Sequence, residues 1–298
     1  MTLGISVEPP VNDNTSLEMK VSICICTRNR NLELHRALKS IQDTAYPVHE
    51  VIVSDDSTNG RTRDMVCTEF PGVVYLPGPQ KGLSANRNNA LRSVSGTHVL
   101  FLDDDAALGS NFLECIHRYL KKYGMSRDVN KIIVTGAENN FGSLIFPNDQ
   151  GFLGFQTRTY HGVQRLKTIV INSTVFPVNL FSDTQFDEHL IYGYEEVDLA
   201  TRAVGQGYEI QFCSTAVNFH YPSQVNREYY APFTDAARLY VTFKRYRYTE
   251  RRPLKAAVFL ILGFSHHLLH NIRKKSGGGV QSTLRTWNMA FRLIFHAN

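Results

Sequence analysis

The chain has 298 residues, 43% hydrophobic and 20% charged, enough apolar material for a real core, which excludes a mainly disordered protein. Its net charge of +5 is unevenly placed: residues 244–298 carry eleven Lys and Arg against one acid, Glu250, a net +10, so residues 1–243 carry −5. The basic balance therefore belongs to a tail, which argues against a nucleic-acid-binding fold.

Residues 1–19 are polar and hold Pro9-Pro10, and a loose arm is expected there. This opening has neither a basic start nor an apolar run, so no signal peptide is expected. Five scattered cysteines form no disulfide framework and no metal-ligand spacing, which together with the N-terminus suggests a cytosolic, reducing setting. The apolar run 21–26 reads as a buried strand. Leu34, Ala37, Leu38 and Ile41 follow at the i, i+3, i+4, i+7 spacing of a helix. Strands are expected at 50–53, 73–76, 98–102 and 131–135. Between them, Ser84 is placed to cap a helix bearing Ala85, Ala90, Leu91 and Val94, and Phe112, Leu113, Ile116 and Leu120 mark another. This alternation predicts an α/β fold with a Rossmann-like, mostly parallel central sheet flanked by helices. Further strands are expected at 168–172, 209–212 and 217–220, and a short helix opens at Glu195, Glu196 and Asp198, carboxylates that suit its dipole. Residues 20–243 read as one globular unit and 244–298 as a basic, apolar helical extension.

Open parallel sheets bind ligands beyond the carboxyl ends of their strands. Three polar clusters fall there: Thr27-Arg28-Asn29-Arg30, Asp55-Asp56-Ser57 and Asp103-Asp104-Asp105. In a strand or tight turn Asp103 and Asp105 point the same way and can share a hard cation, Mg²⁺ or Mn²⁺, of the kind that also binds phosphates. A solvated acidic turn is the competing reading. Asp55 and Asp56 suit hydrogen bonding to a base or ribose, or ordinary turn chemistry. Arg28, Arg30, Lys81 and Arg87 are available to offset phosphate charge, Arg87 being best placed on the helix after Gly82. No GxGxxG or GxxxxGK[ST] follows the first strand, so neither a dinucleotide fingerprint nor a P-loop is supported.

Taken in order, Val21-Ser-Ile-Cys-Ile-Cys-Thr-Arg-Asn-Arg30, Val51-Ile-Val-Ser-Asp-Asp-Ser57, Lys81-Gly-Leu-Ser-Ala-Asn-Arg-Asn-Asn-Ala90, residues 96–105, Phe186-Asp-Glu and Glu195-Glu-Val-Asp-Leu199 with Arg202 resemble the inverting glycosyltransferases of family 2. The resemblance runs over residues 20–245 and implies the A-type glycosyltransferase fold. It places Thr27, Asn29, Arg30, Asp55, Asp56, Arg87 and Asp104 in a nucleotide pocket. Asp103 and Asp105 match the Asp-x-Asp motif for metal and diphosphate, with His220 as a further metal or diphosphate contact. Glu195-Glu196 matches the Glu-Asp pair whose second member is the base, which assigns that role to Glu196. Glu replaces the usual Asp there and adds a methylene, so Glu195 and Asp198 stay open as alternatives. Cys26 and Ser57-Thr58 are further departures, and the Gln-x-x-Arg-Trp motif of processive enzymes is missing, which favours single addition. What the resemblance implies is a metal-dependent (Mn²⁺ or Mg²⁺) inverting transferase. It would move a sugar from a UDP- or dTDP-type donor to a hydroxyl on a glycan or lipid-linked acceptor, in cell-surface polysaccharide assembly. Two alternatives are weighed. A nucleotidyltransferase would show a glycine-rich loop where residues 27–31 have none. A non-catalytic sugar-nucleotide-binding or scaffold protein would not need both the Asp103/Asp105 and the Glu195/Glu196 pairs.

In the tail, residues 256–264 are nine apolar residues and no charged residue occurs until Arg273. That uncharged stretch falls short of the ~20 residues needed to span a bilayer. Arg251, Arg252 and Lys255 precede it, Arg273, Lys274 and Lys275 follow it, and the second apolar stretch 287–295 is accompanied by Arg285 and Arg292. Basic residues around apolar helices predict contact with an anionic membrane surface, peripheral on the inner face. The bland alternative is a helical extension packed on the catalytic unit or on a second subunit.

Overall fold

The apolar run at the start becomes strand β1 (Val21–Thr27), buried along its whole length, and its side chains divide by the two-residue period of a strand. Val21, Ile23 and Ile25 enter one core, and Cys24 enters another on the opposite face. The structure is a computed structural model that describes residues 18–124, 127–161, 165–222, 227–274 and 279–296. Most of the expected N-terminal arm, and Lys275 of the tail, lie outside the described residues.

From β1 the chain continues through α1 (Asn31–Gln42), β2 (Glu50–Asp55), α2 (Arg61–Glu69), β3 (Val74–Pro77), α3 (Leu83–Leu91) and β4 (His98–Asp103). Next come the two-residue β5 (Ala106–Ala107), α4 (Phe112–Gly124), β6 (Ile132–Asn140), β7 (Ser143–Ile145) and the separate hairpin β8 (Asn148–Gln150) and β9 (Gln156–Thr159). Strand β10 (Thr174–Pro177), α5 (Glu195–Gly205), β11 (Glu209–His220), α6 (Arg227–Lys244), α7 (Pro253–Lys274) and α8 (Gly279–His296) complete it. The main sheet runs β3-β2-β1-β4-β10-β6-β11-β5, with β7 added to β6. Strands β3, β2, β1 and β4 pair in parallel, as do β6 and β11, while β10 is inserted antiparallel between β4 and β6. The mostly parallel α/β sheet expected from the sequence is thus observed, with helices on both faces.

Helices α1 and α4 cover one face: Leu34, Ala37, Leu38 and Ile41 of α1 and Phe112, Leu113, Ile116 and Leu120 of α4 join Val21, Ile23 and Ile25. Helices α3 and α5 cover the other with Ala90, Leu199, Ala200 and Ala203 against Phe101 and Phe176. Each fully buried aliphatic or aromatic side chain contributes about 1.5–3 kcal/mol over its exposed state, so these two layers hold the sheet ends in fixed register. That register matters for the site. Thr27 lies level with Asp55, and Cys26 with Asp103, which aligns the three polar strand ends.

Several expectations are corrected. The strand expected at 168–172 is instead a loop with a 3-10 turn at Ile171–Ser173, and the strand begins at Thr174. Asn172 turns its amide inward: its Oδ1 accepts from the Asp103 N–H and its Nδ2 donates to Glu138, and Thr174 Oγ1 donates to Val170 O, so this backbone braces the site rather than joining a ladder. The strands expected at 209–212 and 217–220 are one strand, β11, with an irregularity between Phe212 and Val217. There Ala216 O lies where a Cβ on Gly136 would stand, so the bulge needs glycine opposite it. Helix α2, absent from the sequence reading, buries only Thr62 and Val66, too few apolar positions to mark a period. Ser84 does not cap α3. Gly82 occupies the cap at φ +105°, and Ser84 lies buried inside the first turn.

Candidate active site

The carboxyl ends of β1, β2 and β4, the N-termini of α3 and α5, the end of β11 and one face of α6 enclose a cleft of about 1160 Å³. Of the thirteen candidate site residues, ten line it: Thr27, Arg30, Asp56, Arg87, Asp103, Asp104, Asp105, Glu195, Glu196 and His220. Three do not. Asn29, in the left-handed region at φ 57°, uses its Oδ1 to accept from Thr58 N and so ties the β1 loop to the β2 loop. Asp55 is buried, accepting from Ser57 N and the Tyr75 hydroxyl. Asp198 sits three residues past Glu195, away from the cleft lining, and Arg202 (2.6 Å) and Lys244 (3.0 Å) hold its carboxylate.

Arg87 organises the rest. It is 2% exposed, and its guanidinium forks between Glu195 Oε1 and Asp103 Oδ1, each at 2.9 Å. The two carboxylates come from β4 and α5, so one side chain joins the strand end to the helix N-terminus. Asn88 makes the approach possible: its amide exchanges two hydrogen bonds with the Phe186 backbone (2.9 and 3.0 Å), pinning α3 against the loop that leads to α5. Burial opposes the charge on Arg87, yet the fields of Asp103 and Glu195 override it and hold the guanidinium ionised.

Glu196 stands in a different field. Burial together with the neighbouring Glu195 charge pushes its carboxyl up to about 8, with Arg87 only partly offsetting this. Arg87 spends both arms on Glu195 and Asp103, so Glu196 receives none of its hydrogen bonds. Before the helix, Gly193 and Tyr194 adopt φ 85° and 65°, a tight left-handed turn that sets the direction in which Glu195 and Glu196 leave the helix end.

The aspartate triplet does not behave as a simple alternation. The strand ends at Asp103, and the chain then turns, so Asp104 and Asp105 share one cation, Arg30 (2.9 and 3.3 Å), whereas Asp103 is held by Arg87. Asp104 also accepts from the Thr27 hydroxyl at 2.8 Å; burial pushes its carboxyl up to about 7 against the pull of Arg30. His220 lies between Asp105 (3.1 Å) and Glu138 (2.8 Å). Burial alone would lower the imidazole, but hydrogen bonds to Asp105 and Glu138 outweigh it and raise it to about 10. Strand β5 makes this meeting possible, since its antiparallel pairing sets Ala106 opposite His220.

A divalent cation has a donor set of the right kind here: hard carboxylate oxygens on Asp103 and Asp105 with an imidazole beside them. Among the described residues no three His, Cys, Asp or Glu side chains already converge as a metal cluster. The oxygens instead face Arg87, Arg30 and His220, which hold the positive charge a metal would bring. His220, donating to carboxylates from both nitrogens, becomes a ligand only after losing a proton. Cys26 also lines the cleft, but burial keeps its thiol protonated, so it offers no nucleophile.

Several functional neighbours escaped sequence reasoning. Glu138 and Asn172 orient His220 and the Asp103 backbone from behind, and nothing local distinguishes them from other polar residues. Tyr192 stacks on Tyr230 at 4.3 Å to form an aromatic wall, for which Tyr192-Gly-Tyr194 beside the glutamates was an available signal. Gly78 is required too. A Cβ there would collide with Asp56 Oδ1 and Asn86, so only glycine lets Asp56 reach the cleft, where it accepts from Gln80 N at 2.7 Å.

Residues 22–171, half of the chain, match Glycosyl transferase family 2, and the chain belongs to that family. Among curated relatives, it is 36% identical over 106 residues to the GalNAc(5)-diNAcBac-PP-undecaprenol beta-1,3-glucosyltransferase of Campylobacter jejuni, a match that takes in 33% of each chain. Over 273 residues, 85% of either chain, it is 23% identical to glycosyltransferase AglE of Haloferax volcanii. Among solved structures, GalNAc-T7 with UDP, GalNAc and Mn²⁺ superposes with a TM-score of 0.61 at 15% identity, covering 78% of this chain and 51% of the other. At that identity the likeness shows the A-type glycosyltransferase fold alone.

Proposed function

We propose that the protein is a metal-dependent, inverting glycosyltransferase that moves a sugar from a nucleoside-diphosphate donor, of the UDP or dTDP type, to an acceptor hydroxyl. The observation that carries this reading is the division of labour between adjacent glutamates. Glu195 is locked to Arg87, and Glu196, raised by burial and by Glu195, remains to take a proton. A carboxylate tuned upward near neutral pH is the expected form of a general base.

In this mechanism Thr27, Arg30, Asp56 and Asp104 bound the nucleotide end of the cleft. The donor's diphosphate lies toward the β4 end, where Arg87 and His220 present positive charge. Asp103 and Asp105 would hold Mn²⁺ or Mg²⁺, whose role when bound is to neutralise the departing diphosphate, and His220 would join them as a ligand only by giving up the proton with which it otherwise meets the diphosphate. Glu196 removes the acceptor hydroxyl's proton as its oxygen attacks the anomeric carbon. The bond from that carbon to the nucleoside diphosphate breaks on the opposite face, so one displacement inverts the configuration without a covalent enzyme intermediate. The aromatic wall of Tyr192 and Tyr230 offers an apolar surface beside the acceptor path. Residues 20–243 would form the catalytic unit and 244–298 an extension that brings it, peripherally, to a lipid-linked acceptor at the inner face of the membrane. The undecaprenol-linked substrate named for the Campylobacter jejuni relative supports that choice.

The test is a calorimetric panel of nucleoside diphosphates and sugar nucleotides with Mn²⁺ and with EDTA. A donor at 100-fold excess over Kd stabilises the fold by about 2.7 kcal/mol. Metal-dependent binding of one UDP- or dTDP-sugar, abolished by Asp105→Ala, is the expected result. Equal binding in EDTA would remove the metal from the reading, and a GDP-sugar hit would correct the donor class. Binding without turnover on any acceptor would leave a sugar-nucleotide-binding protein.

A further inference from the structure

Helix α7 is apolar on two opposite sides, and only one of them is used. Ala256 and Phe259 enter the core shared with α6 and α8, a Cβ on Gly263 would stand 3.5 Å from the Trp287 ring, and Asn271 bonds Thr283 of α8. On the other side Leu254, Val258, Ile261, Leu262, Leu269 and Ile272 are exposed, Leu254 at 82% and Ile261 at 67%. At 3.6 residues per turn these six fall within an arc of roughly 100°, directly away from the bundle core. Helix α8 adds exposed Val280, Leu284, Phe291 and Phe295 on its flank. Scattered exposed leucines need no explanation, but a stripe along a whole helix does.

We propose that this outer face of α7 and α8 docks the protein on the surface of an anionic lipid bilayer, lying in the interface rather than crossing it. Charge complementarity selects that occupant. After Glu250, which is already paired with Arg245 and Lys255, no acidic residue occurs to the end of the chain. Arg251 and Arg252 stand exposed before the stripe, Arg273 at its far end, and Arg285 and Arg292 on the polar shoulder of α8. Apolar stripe with basic shoulders is the arrangement that buries side chains at the headgroup boundary while guanidinium groups reach phosphates. A second copy would bring the same positive charge against itself. Spanning is excluded for the described helices, since none is long and apolar enough.

The bundle is also coupled to the cleft. Helix α6 lends Thr234 and Asp235 to the cleft wall, and His267 of α7 approaches Asp235 at 3.8 Å. Docking through α7 would therefore set the acceptor side of the cleft beside the bilayer, a consequence that rests on the transferase reading, although the docking itself does not.

The experiment is flotation of the full chain with vesicles of phosphatidylcholine alone and of phosphatidylcholine mixed with phosphatidylglycerol. It compares the wild type with the triple variant Leu254→Ser, Ile261→Ser, Leu269→Ser. The wild type is expected to partition onto the mixed vesicles at least about tenfold more than onto phosphatidylcholine, and the triple variant to lose at least about tenfold of that binding. The variant should keep its melting temperature and its nucleotide-sugar binding in vesicle-free buffer, because these side chains touch neither core nor cleft. Wild type that stays unbound, or a variant that floats equally well, overturns the proposal. So does a dimer seen by light scattering that the variant disperses, which would make the face a homotypic interface. Failure of the transferase reading has a separate signature: no sugar nucleotide bound or turned over, whatever the vesicles show.

Discussion

Replacing Arg87 tests the organisation of the cleft most directly. Its guanidinium is 2% exposed and satisfies Asp103 and Glu195 at 2.9 Å each. Arg87→Met keeps much of the volume but leaves two carboxylates facing each other with no cation between them, and one Glu195 oxygen, Oε2, is already buried without a partner among the described residues. Breaking a buried ion pair from one side costs about 3–5 kcal/mol, mostly the price of the stranded charge. At roughly 2–3 °C per kcal/mol for a chain of this size, the melting temperature should fall by about 6–15 °C. Arg87→Lys should recover only part of this, since an ammonium cannot fork between two carboxylates. Adding Glu195→Gln to Arg87→Met should restore about 1–3 kcal/mol by removing one stranded charge. Calorimetry with denaturant titration on the wild type, Arg87→Met, Glu195→Gln and the double variant closes the cycle. A loss below about 1 kcal/mol for Arg87→Met, or strict additivity in the double variant, would refute the bridge as the organiser of the cleft.

Other expectations follow from the same contacts. Glu196→Gln should spare donor binding and lower turnover by about 10²–10⁴, whereas a larger loss in Glu195→Gln would move the base by one residue. Because the Glu196 carboxyl is pushed up to about 8 and must be ionised to accept a proton, kcat/KM should climb as pH rises through that value; a flat profile between pH 6 and 9, read with a donor–acceptor assay, would contradict it. Asp187 is bound by Lys244 at 2.6 Å and by the Tyr240 hydroxyl at 2.8 Å; burial would raise its carboxyl, but Lys244 outweighs that and holds it well below the usual range. Its contribution, about 2–3 kcal/mol, is present above the unfolded value of about 4 and is lost as pH falls toward the folded one, so Asp187→Asn should destabilise at pH 7 and not at strongly acid pH in urea titrations. Gly82→Ala should cost about 1–3 kcal/mol and weaken donor binding, since φ is +105° and Ile191 O stands 2.8 Å from the new Cβ; an unchanged melting curve would show that the cleft lip relaxes freely.

What the sequence determined by itself is local. The apolar run over residues 21–26 and the helical period of Leu34, Ala37, Leu38 and Ile41 each state their own secondary structure. Strand–helix alternation then requires a parallel sheet, and a parallel sheet places Thr27, Asp56 and Asp103 at one end. The family-2 resemblance rests on those same strand-end segments, together with residues 81–90, Phe186-Asp-Glu and the Glu195-Glu196 stretch with Arg202. Only the tertiary structure decided which charge meets which. Arg87 and Glu195 are 108 positions apart, and neither carries a local mark of the other. Asp198 shares the first turn of α5 with both glutamates and looks equivalent to them in sequence, but it stands about 200° round the helix from Glu196, and Arg202 and Lys244, brought in by α5 and α6, take up its carboxylate away from the cleft. Glu138 and Asn172 reach His220 and Asp103 through a bulged strand and an irregular loop, shapes that follow from packing rather than from periodicity. The tail shows the same division. Its basic and apolar character was legible residue by residue, but that α7 buries one apolar side and leaves the opposite one bare depends on where α6 and α8 lie, which hydropathy along a line does not encode.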